Sequence, residues 1–313
     1  MSKPRIGLLG TGPWAERTHA PALAAHPGIE FSGVWGRRPE AAAALAAAHD
    51  TTAHSGESGL DALFAESDAI AFALPPDIQA PLAVRAAAAG CHLLLDKPVA
   101  TTVAAAREAV AAATGAGVSS VVFCTLRFAP GTAGWIDEQA AKGGWFTAHA
   151  YWMGALYGTG ANSPYAESPW RREKGGLWDV GPHALSALIP VLGDVTGLTA
   201  VRTGPDLTHL VLRHVSGAAS TVALSLSAPE AGSGSGVELR GERGTEVLPT
   251  EWGDPVDSFR AATDALLDSV RTGQPHACDV RFGLRLTEIL AEAEAEVQQA
   301  GAGARQAAAV DRA

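Results

Sequence analysis

Residues 6–15 read IGLLGTGPWA, a short apolar run that turns through two glycines into the start of a helix. Ile6, Leu8 and Leu9 predict an inner parallel strand. Gly10 allows the tight turn, Gly12 lets backbone approach a ligand, and Ala15 is the small residue where helix packs on strand. Gly10, Gly12, Pro13, Trp14 and Ala15 therefore form a turn on which a dinucleotide pyrophosphate can rest, facing the unsatisfied N–H groups at the positive end of the helix. Turns of this kind also occur without a ligand, so the pattern of the neighbouring chain has to decide.

That pattern is an unbroken alternation of strand and helix signals. A second strand is expected at 29–35, a helix at 39–49 with Pro39 in its first turn, a short helix at 60–64 and a strand at 69–74. Pro75 and Pro76 make a rigid strand exit with Asp77 as helix N-cap; the helix runs to Ala89 and stops at Gly90. A strand at 92–95, a helix at 101–114 stopped by Gly115, and a strand at 118–125 complete the run. The expected fold class is α/β, a doubly wound parallel sheet of Rossmann type over 1–125, with ligand at the carboxyl ends of the strands.

Beyond residue 125 the pattern changes. Segments 145–153, 199–203, 207–214 and 218–227 alternate or run apolar without a helix between each pair, which predicts a mostly antiparallel open sheet in an α+β domain over 126–313. Segment 154–176 is rich in Gly, Pro, Ser and aromatic residues and reads as a long functional loop leading into a helix that ends at Leu192. Segment 230–236 reads as a flexible hairpin tip, 258–272 and 280–299 as helices, and the tail from Ala300 as fraying. A sheet with one uncovered apolar face predicts a homodimer or homotetramer.

Composition narrows the function. The 313 residues are 47% hydrophobic and 18% charged with a formal charge of −10, which argues against nucleic acid or an anionic membrane as an obligate partner. Cys91, Cys124 and Cys278 are widely spaced, with no paired-cysteine or zinc-type histidine pattern, so reduced buried thiols and no metal are expected. Met-Ser-Lys-Pro leads directly into the first strand, and no apolar segment is long enough to span a bilayer; a cytoplasmic location is expected.

Three segments, GLLGTGPWA, LPPDIQAPLAVRAAAAGCHLLLDKPVATT and WRREKGGLWDVGPHAL, occur in an order and spacing that resembles the glucose–fructose oxidoreductase / inositol dehydrogenase family, Gfo/Idh/MocA. The resemblance covers nearly the whole chain. It implies an N-terminal Rossmann domain, a C-terminal domain with a large open sheet, tightly held NAD(H) or NADP(H), and hydride transfer at a carbinol carbon of a sugar or cyclitol. It also implies cofactor contacts from Pro75, Pro76, Gln79, Asp96 and Lys97, and a position at Trp170-Arg171 that reaches nicotinamide or substrate. Two departures stand out: the family's Glu-Lys-Pro is Asp96-Lys97-Pro98 here, and Gln79 stands where many members have His.

The chemistry can be read beside the resemblance. Oxidising an alcohol by hydride transfer needs a group to take the hydroxyl proton and a cationic or hydrogen-bonding group for the developing alkoxide. Lys97, at the end of a buried strand, suits the second role. His183 suits the first, because a helix N-terminus disfavours imidazolium; Asp179 can orient it. The bland readings are a helix-capping Asp179 and a core His183. Arg127, Trp152, Trp170 and Arg171 are further candidates for substrate or cofactor contact, with core packing or surface ion pairs as alternatives. After the second strand Gly36 stands where NAD enzymes place an acid, and Arg37 and Arg38 offer guanidinium groups to a 2′-phosphate, which favours NADP(H) over NAD(H). Three functions remain: a dehydrogenase or reductase, a redox-neutral lyase or glycosidase with a captive cofactor, and a non-catalytic dinucleotide sensor.

Overall fold

The computed structural model describes residues 2–158 and 163–310, with side chains to residue 301. Two compact units are present, Met1–Pro130 with Trp252–Thr287, and Gly131–Glu251 with Glu288–Ala313.

In the first unit β1 (Arg5–Leu9), β2 (Glu30–Trp35), β3 (Thr52–His54), β4 (Ala69–Phe72), β5 (His92–Asp96) and β6 (Ser120–Phe123) form a parallel sheet in the order β3-β2-β1-β4-β5-β6. The inner strands β1, β4 and β5 and the edge strand β6 are apolar because helices cover the faces of the sheet. The register aligns Leu9 with Trp35 on one side and with Phe72 on the other, so the turns after β1, β2 and β4 emerge together where strand order reverses, the position of ligands in such sheets.

The connections are α1 (Ala20–Ala24), entered through a π-helical turn at Ala15–His19, then α2 (Pro39–Ala47), α3 (Gly56–Glu66), α4 (Pro76–Ala88) and α5 (Val103–Ala116). Three sequence expectations are corrected locally. The N-cap of α4 is Pro75, with Asp77 in the first turn; the left-handed stop of α5 is Gly117 rather than Gly115, capped at the other end by Thr102; and β3 is an additional short edge strand.

The second unit contains α6 (Ala133–Lys142), β7 (Trp145–Met153), α7 (Pro169–Asp179), α8 (Gly181–Leu192), β8 (Val195–Thr203), β9 (Leu207–His214), β10 (Ala219–Ser225), β11 (Gly234–Gly241) and β12 (Gly244–Val247). Its sheet runs β12-β11-β7-β10-β9-β8, antiparallel except between β7 and β10. The expected long loop contains α7, and its residues 159–162 lie outside the described residues. The expected flexible tip is a 3-10 turn, Glu230–Gly232, followed by β11, because β7 offers an edge on which it pairs. Two late helices, α9 (Pro255–Thr272) and α10 (Val280–Val310), complete the chain; α9 packs against β5 and β6, and α10 continues through the tail expected to fray. Residues 311–313 of that tail lie outside the described residues. One sheet face is covered by α7 and α8. The other exposes Tyr151, Val201, Val211 and Val247 among His149, His209 and Thr221, a mixed rather than uniformly apolar surface.

The π-turn buries His19 among Trp14, Phe123 and Phe259, with Nδ1 donating to the Trp14 carbonyl at 3.3 Å. Burial pushes its imidazole down to about 3. The folded protein therefore binds fewer protons than the unfolded chain between that value and the ordinary imidazole range. The stability contribution is complete above the unfolded value and is lost as pH falls through this window. His19→Phe, which keeps an aromatic ring in the cage, should reduce the loss of stability between about pH 7 and about pH 4.5 by about 2 kcal/mol. Urea unfolding at the two pH values measures it; an undiminished acid sensitivity would assign the effect elsewhere.

Candidate functional site

The turn after β1 has the geometry of a phosphate cradle. Gly10 has φ 127°, its N–H donates to the Trp35 carbonyl at 2.9 Å, and a Cβ there would run into the Ala73 carbonyl, so only glycine fits. Gly12 borders open space: a Cβ would meet nothing within 4 Å. Pro13 and Trp14 open the helix and Ala15 is fully buried beneath it. A bare backbone turn facing space at a helix N-terminus fits a dinucleotide pyrophosphate.

After β2, Gly36 is buried and Arg37 and Arg38 are exposed. A Cβ on Gly36 would approach Thr11 Cγ2 to 2.7 Å, so the position usually given to a ribose-binding acid has no room for a carboxylate side chain unless Thr11 moves. Glu40, the nearest carboxylate, lies in the first turn of α2, where it complements the dipole.

The turn after β5 is held from behind. Gln79, fully buried on α4 beyond Pro75 and Pro76, accepts from Asp96 N at 2.9 Å through Oε1; its Nε2 donates to the carbonyls of Asp96 at 2.9 Å and of Pro98 and Val99 at 3.3 Å. A carboxamide suits this site because the turn presents one donor and several acceptors. Asp96 Oδ1 then accepts from Lys97 N at 2.8 Å, which helps hold the backbone that carries Lys97. Gln79 thus sits behind the lysine turn, with its polar atoms committed to it. Arg127 ends a 3-10 turn, Thr125–Arg127, in the first unit. Its charge acts with those of Lys97 and Asp96 on the buried Cys124 thiol, which burial pushes well up.

In the second unit α7 breaks at Gly175, with φ 66° and ψ −164°. The break brings Arg171 Nε to 3.1 Å from Asp179 Oδ2. Arg171 also lies over the Trp170 ring at 4.7 Å and the Tyr165 ring at 5.5 Å. Val180, not Asp179, is the N-cap residue of α8. His183, in the first turn after Pro182, stacks on Trp152 with centroids 5.7 Å apart and planes 17° apart. Tyr157, whose hydroxyl is shielded by burial, feels the charges of Arg171, Arg172 and Asp179. Trp152, Trp170, Arg171, Asp179 and His183 thus fall in one unit, and the phosphate turn, Arg37, Arg38, Gln79, Asp96, Lys97 and Arg127 in the other. Sequence reasoning missed Tyr165 and Asp206. Asp206 follows Gly204-Pro205 and reads locally as an ordinary turn residue.

Comparison with known proteins agrees with this geometry. Residues 4–123 match the family model described as an oxidoreductase family with an NAD-binding Rossmann fold, GFO_IDH_MocA. The chain is 27% identical over 232 residues to the uncharacterized oxidoreductase YdgJ of Escherichia coli K12, covering 67% of this chain and 62% of that one. It is 33% identical over 123 residues to a dTDP-3,4-didehydro-2,6-dideoxy-alpha-D-glucose 3-reductase of Streptomyces antibioticus, covering 38% of this chain and 36% of the reductase. The matches therefore span less than two thirds of the length of these curated relatives. The fold is that of a putative myo-inositol dehydrogenase from Sinorhizobium meliloti 1021, with TM-score 0.81 at 18% identity over 95% of this chain and 98% of that one. A UDP-N-acetylglucosamine 3-dehydrogenase, GnnA from Acidithiobacillus ferrooxidans, is similar at TM-score 0.79 and 20% identity, over 96% and 99% of the two chains. The glycine turn, the Asp96-Lys97-Pro98 exit and the six-stranded parallel sheet all lie within residues 4–123, the stretch that matches the Gfo/Idh/MocA oxidoreductase family model.

Proposed function

We propose that the chain is an NADP(H)-dependent oxidoreductase that moves a hydride between the nicotinamide and a carbinol or keto carbon of a sugar, cyclitol or related polyol. The observation that carries this reading is the open backbone cradle at Gly12, followed along the same sheet edge by the lysine turn that Gln79 and Asp96 hold. The dinucleotide supplies the hydride donor or acceptor. Gly10, Gly12, Pro13, Trp14 and Ala15 bind its pyrophosphate, and Pro75, Pro76 and Asp96 shape the neighbouring strand exits. Lys97 donates a hydrogen bond to the reacting oxygen and stabilises the alkoxide; His183 takes the hydroxyl proton during oxidation and returns it during reduction; Asp179, paired with Arg171, orients the polar groups around it. Trp152 and Trp170 offer apolar faces to a ring, and Arg127 a donor to a hydroxyl. Relatives acting on deoxysugar nucleotides, and neighbours described as inositol and amino-sugar dehydrogenases, support the substrate class. Turnover over a panel of sugars, cyclitols and nucleotide sugars, followed by nicotinamide absorbance, tests the reading. Product without accumulated NADPH would show a redox-neutral enzyme instead, and cofactor binding with no turnover would show a sensor.

Preference for the phosphorylated dinucleotide follows from Gly36, Arg37 and Arg38. A guanidinium can form charge-assisted, bidentate hydrogen bonds to a 2′-phosphate, and no carboxylate side chain occupies position 36 to repel it. NADPH should bind about tenfold or more tighter than NADH, and Arg37→Ala should remove most of that difference. Titration by fluorescence measures both; equal affinities in the unaltered protein would overturn the preference.

The three free, buried cysteines suit a reducing compartment, and a cytoplasmic location is part of the proposal. No helix among the described residues is long and apolar enough to cross a membrane. The sheet face carrying Tyr151, Val201 and Val211 is proposed as the interface of a homodimer or homotetramer. Light scattering should give a mass of at least twice 32.0 kDa, and a monomer mass across a wide concentration range would remove the proposal.

A further inference from the structure

The Asp206 carboxylate, in the turn between β8 and β9, is buried and accepts three hydrogen bonds. Oδ2 takes the amide of Gly176 at 3.1 Å and that of Leu226 at 2.7 Å, and Oδ1 takes the Ser225 hydroxyl at 2.6 Å. These donors belong to two separate stretches. Gly176 begins the second half of α7, immediately after the Gly175 break. Ser225 ends β10 and Leu226 follows it, and their carbonyls accept from Gly154 at 2.7 Å and Tyr157 at 2.8 Å, at the start of the long connection after β7. Gly176 itself lies so close to β10 that a Cβ would come within 2.7 Å of the Ser225 Cα.

The consequence appears at Arg171 and Asp179. Along a straight α-helix, residues eight apart are separated by about 12 Å of axial rise, more than two full turns. Here the two side chains are 3.1 Å apart because the helix folds back at Gly175. The amide that the break releases from the helical ladder is the one Asp206 receives, which removes the cost of leaving a buried donor unsatisfied.

We propose that Asp206 is a positioning residue: its carboxylate latches the broken helix α7 and the Gly154–Tyr157 stretch to the end of β10, and thereby holds Arg171, Asp179 and Tyr157 in their working arrangement. The catalytic part of this inference rests on the role given above to Asp179; the latch itself does not. Asparagine can replace the carboxylate, since its oxygen can accept both amides while its NH2 donates to the Ser225 hydroxyl. Alanine can do neither.

In the full chain, Asp206→Ala should lower turnover on the polyol by about tenfold or more, whereas Asp206→Asn should stay within about threefold of the unaltered protein. NADPH affinity, set by the first unit, should change by less than about twofold in both. Hydrogen exchange gives a readout independent of activity: the Gly176 and Leu226 amides should exchange about tenfold faster in Asp206→Ala and at near the original rate in Asp206→Asn. Ser225→Ala, which removes one of the three bonds, covers the case in which Asp206→Ala does not fold, and should give an intermediate, severalfold loss of turnover. Unchanged turnover in Asp206→Ala or Ser225→Ala, or an Asp206→Asn as impaired as Asp206→Ala, would overturn the positioning role. Unchanged exchange at Gly176 would overturn the latch. If the unaltered protein turned over no polyol while the exchange results held, the proposed function would fall and the latch would stand.

Discussion

Replacing Lys97 by Met should lower turnover by about a hundredfold or more, with the dissociation constant of NADPH within about threefold of the unaltered protein. Methionine keeps the unbranched stem and apolar volume and removes the ammonium. The turn that carries residue 97 is held by backbone and neighbouring groups: Asp96 N to Gln79 at 2.9 Å, Lys97 N to Asp96 at 2.8 Å, and the Gln79 amide to three carbonyls. None of these involves the lysine ammonium, so the turn should survive the change and folding with it. A hundredfold fall corresponds to about 2.7 kcal/mol of lost transition-state stabilisation, the scale of removing one well-placed electrostatic donor. Steady-state kinetics and a cofactor titration on the same preparation separate the cases. Turnover at the original level would remove Lys97 from the chemistry, and loss of cofactor binding with intact turnover chemistry in single-turnover mixing would make it a binding residue.

His183→Asn should produce a fall of similar size, about a hundredfold, together with a changed pH dependence. Imidazole is the side chain that ordinarily changes charge between about pH 5 and about pH 8. The sign comes from the role. Oxidation needs the neutral base, so its rate should rise with pH until the imidazole is deprotonated. Reduction needs the imidazolium, and its rate should fall over the same range. Asparagine can hydrogen-bond but cannot carry the proton, so both slopes should flatten. Structural damage should be small: the substitution removes the stack on Trp152, a pair of the kind worth about 1 kcal/mol, while the Ser186 hydroxyl still donates to the backbone carbonyl of residue 183. A pH profile with its slopes intact would return His183 to a packing role.

Some of this protein could be read directly from its residues. The Gly10 turn is legible because its requirement is local: a positive φ directly after an apolar run favours glycine, and the run itself reads as a buried strand. The alternation from β1 to β6 is legible for the same reason, since periodicity and helix signals act over a turn or two of chain. Gly36 followed by Arg37 and Arg38, and Lys97 after a buried strand, are likewise visible from sequence, and the family resemblance rests on such local signals.

Other features depend on partners far away in the chain. β11 is glycine- and serine-rich and has little propensity of its own; it is a strand because β7 presents an unpaired edge. α7 lies in a stretch that reads as loop, because its Gly-Gly break weakens the helical signal while Asp206, thirty residues beyond Gly176, receives the broken end. α9 packs back on β5 and β6, so the chain divides into units that are not contiguous, which a change of pattern near residue 125 does not reveal. Gln79 can be seen in sequence as a departure from histidine, but its place behind the lysine turn depends on the backbone of Asp96, Pro98 and Val99. Sequence alone determined which segments could be strand, helix or phosphate turn, because sterics and propensity are short-range. Only the tertiary structure decided which buried donor meets which acceptor, because a hydrogen bond needs its partner within about 3 Å whatever the distance along the chain.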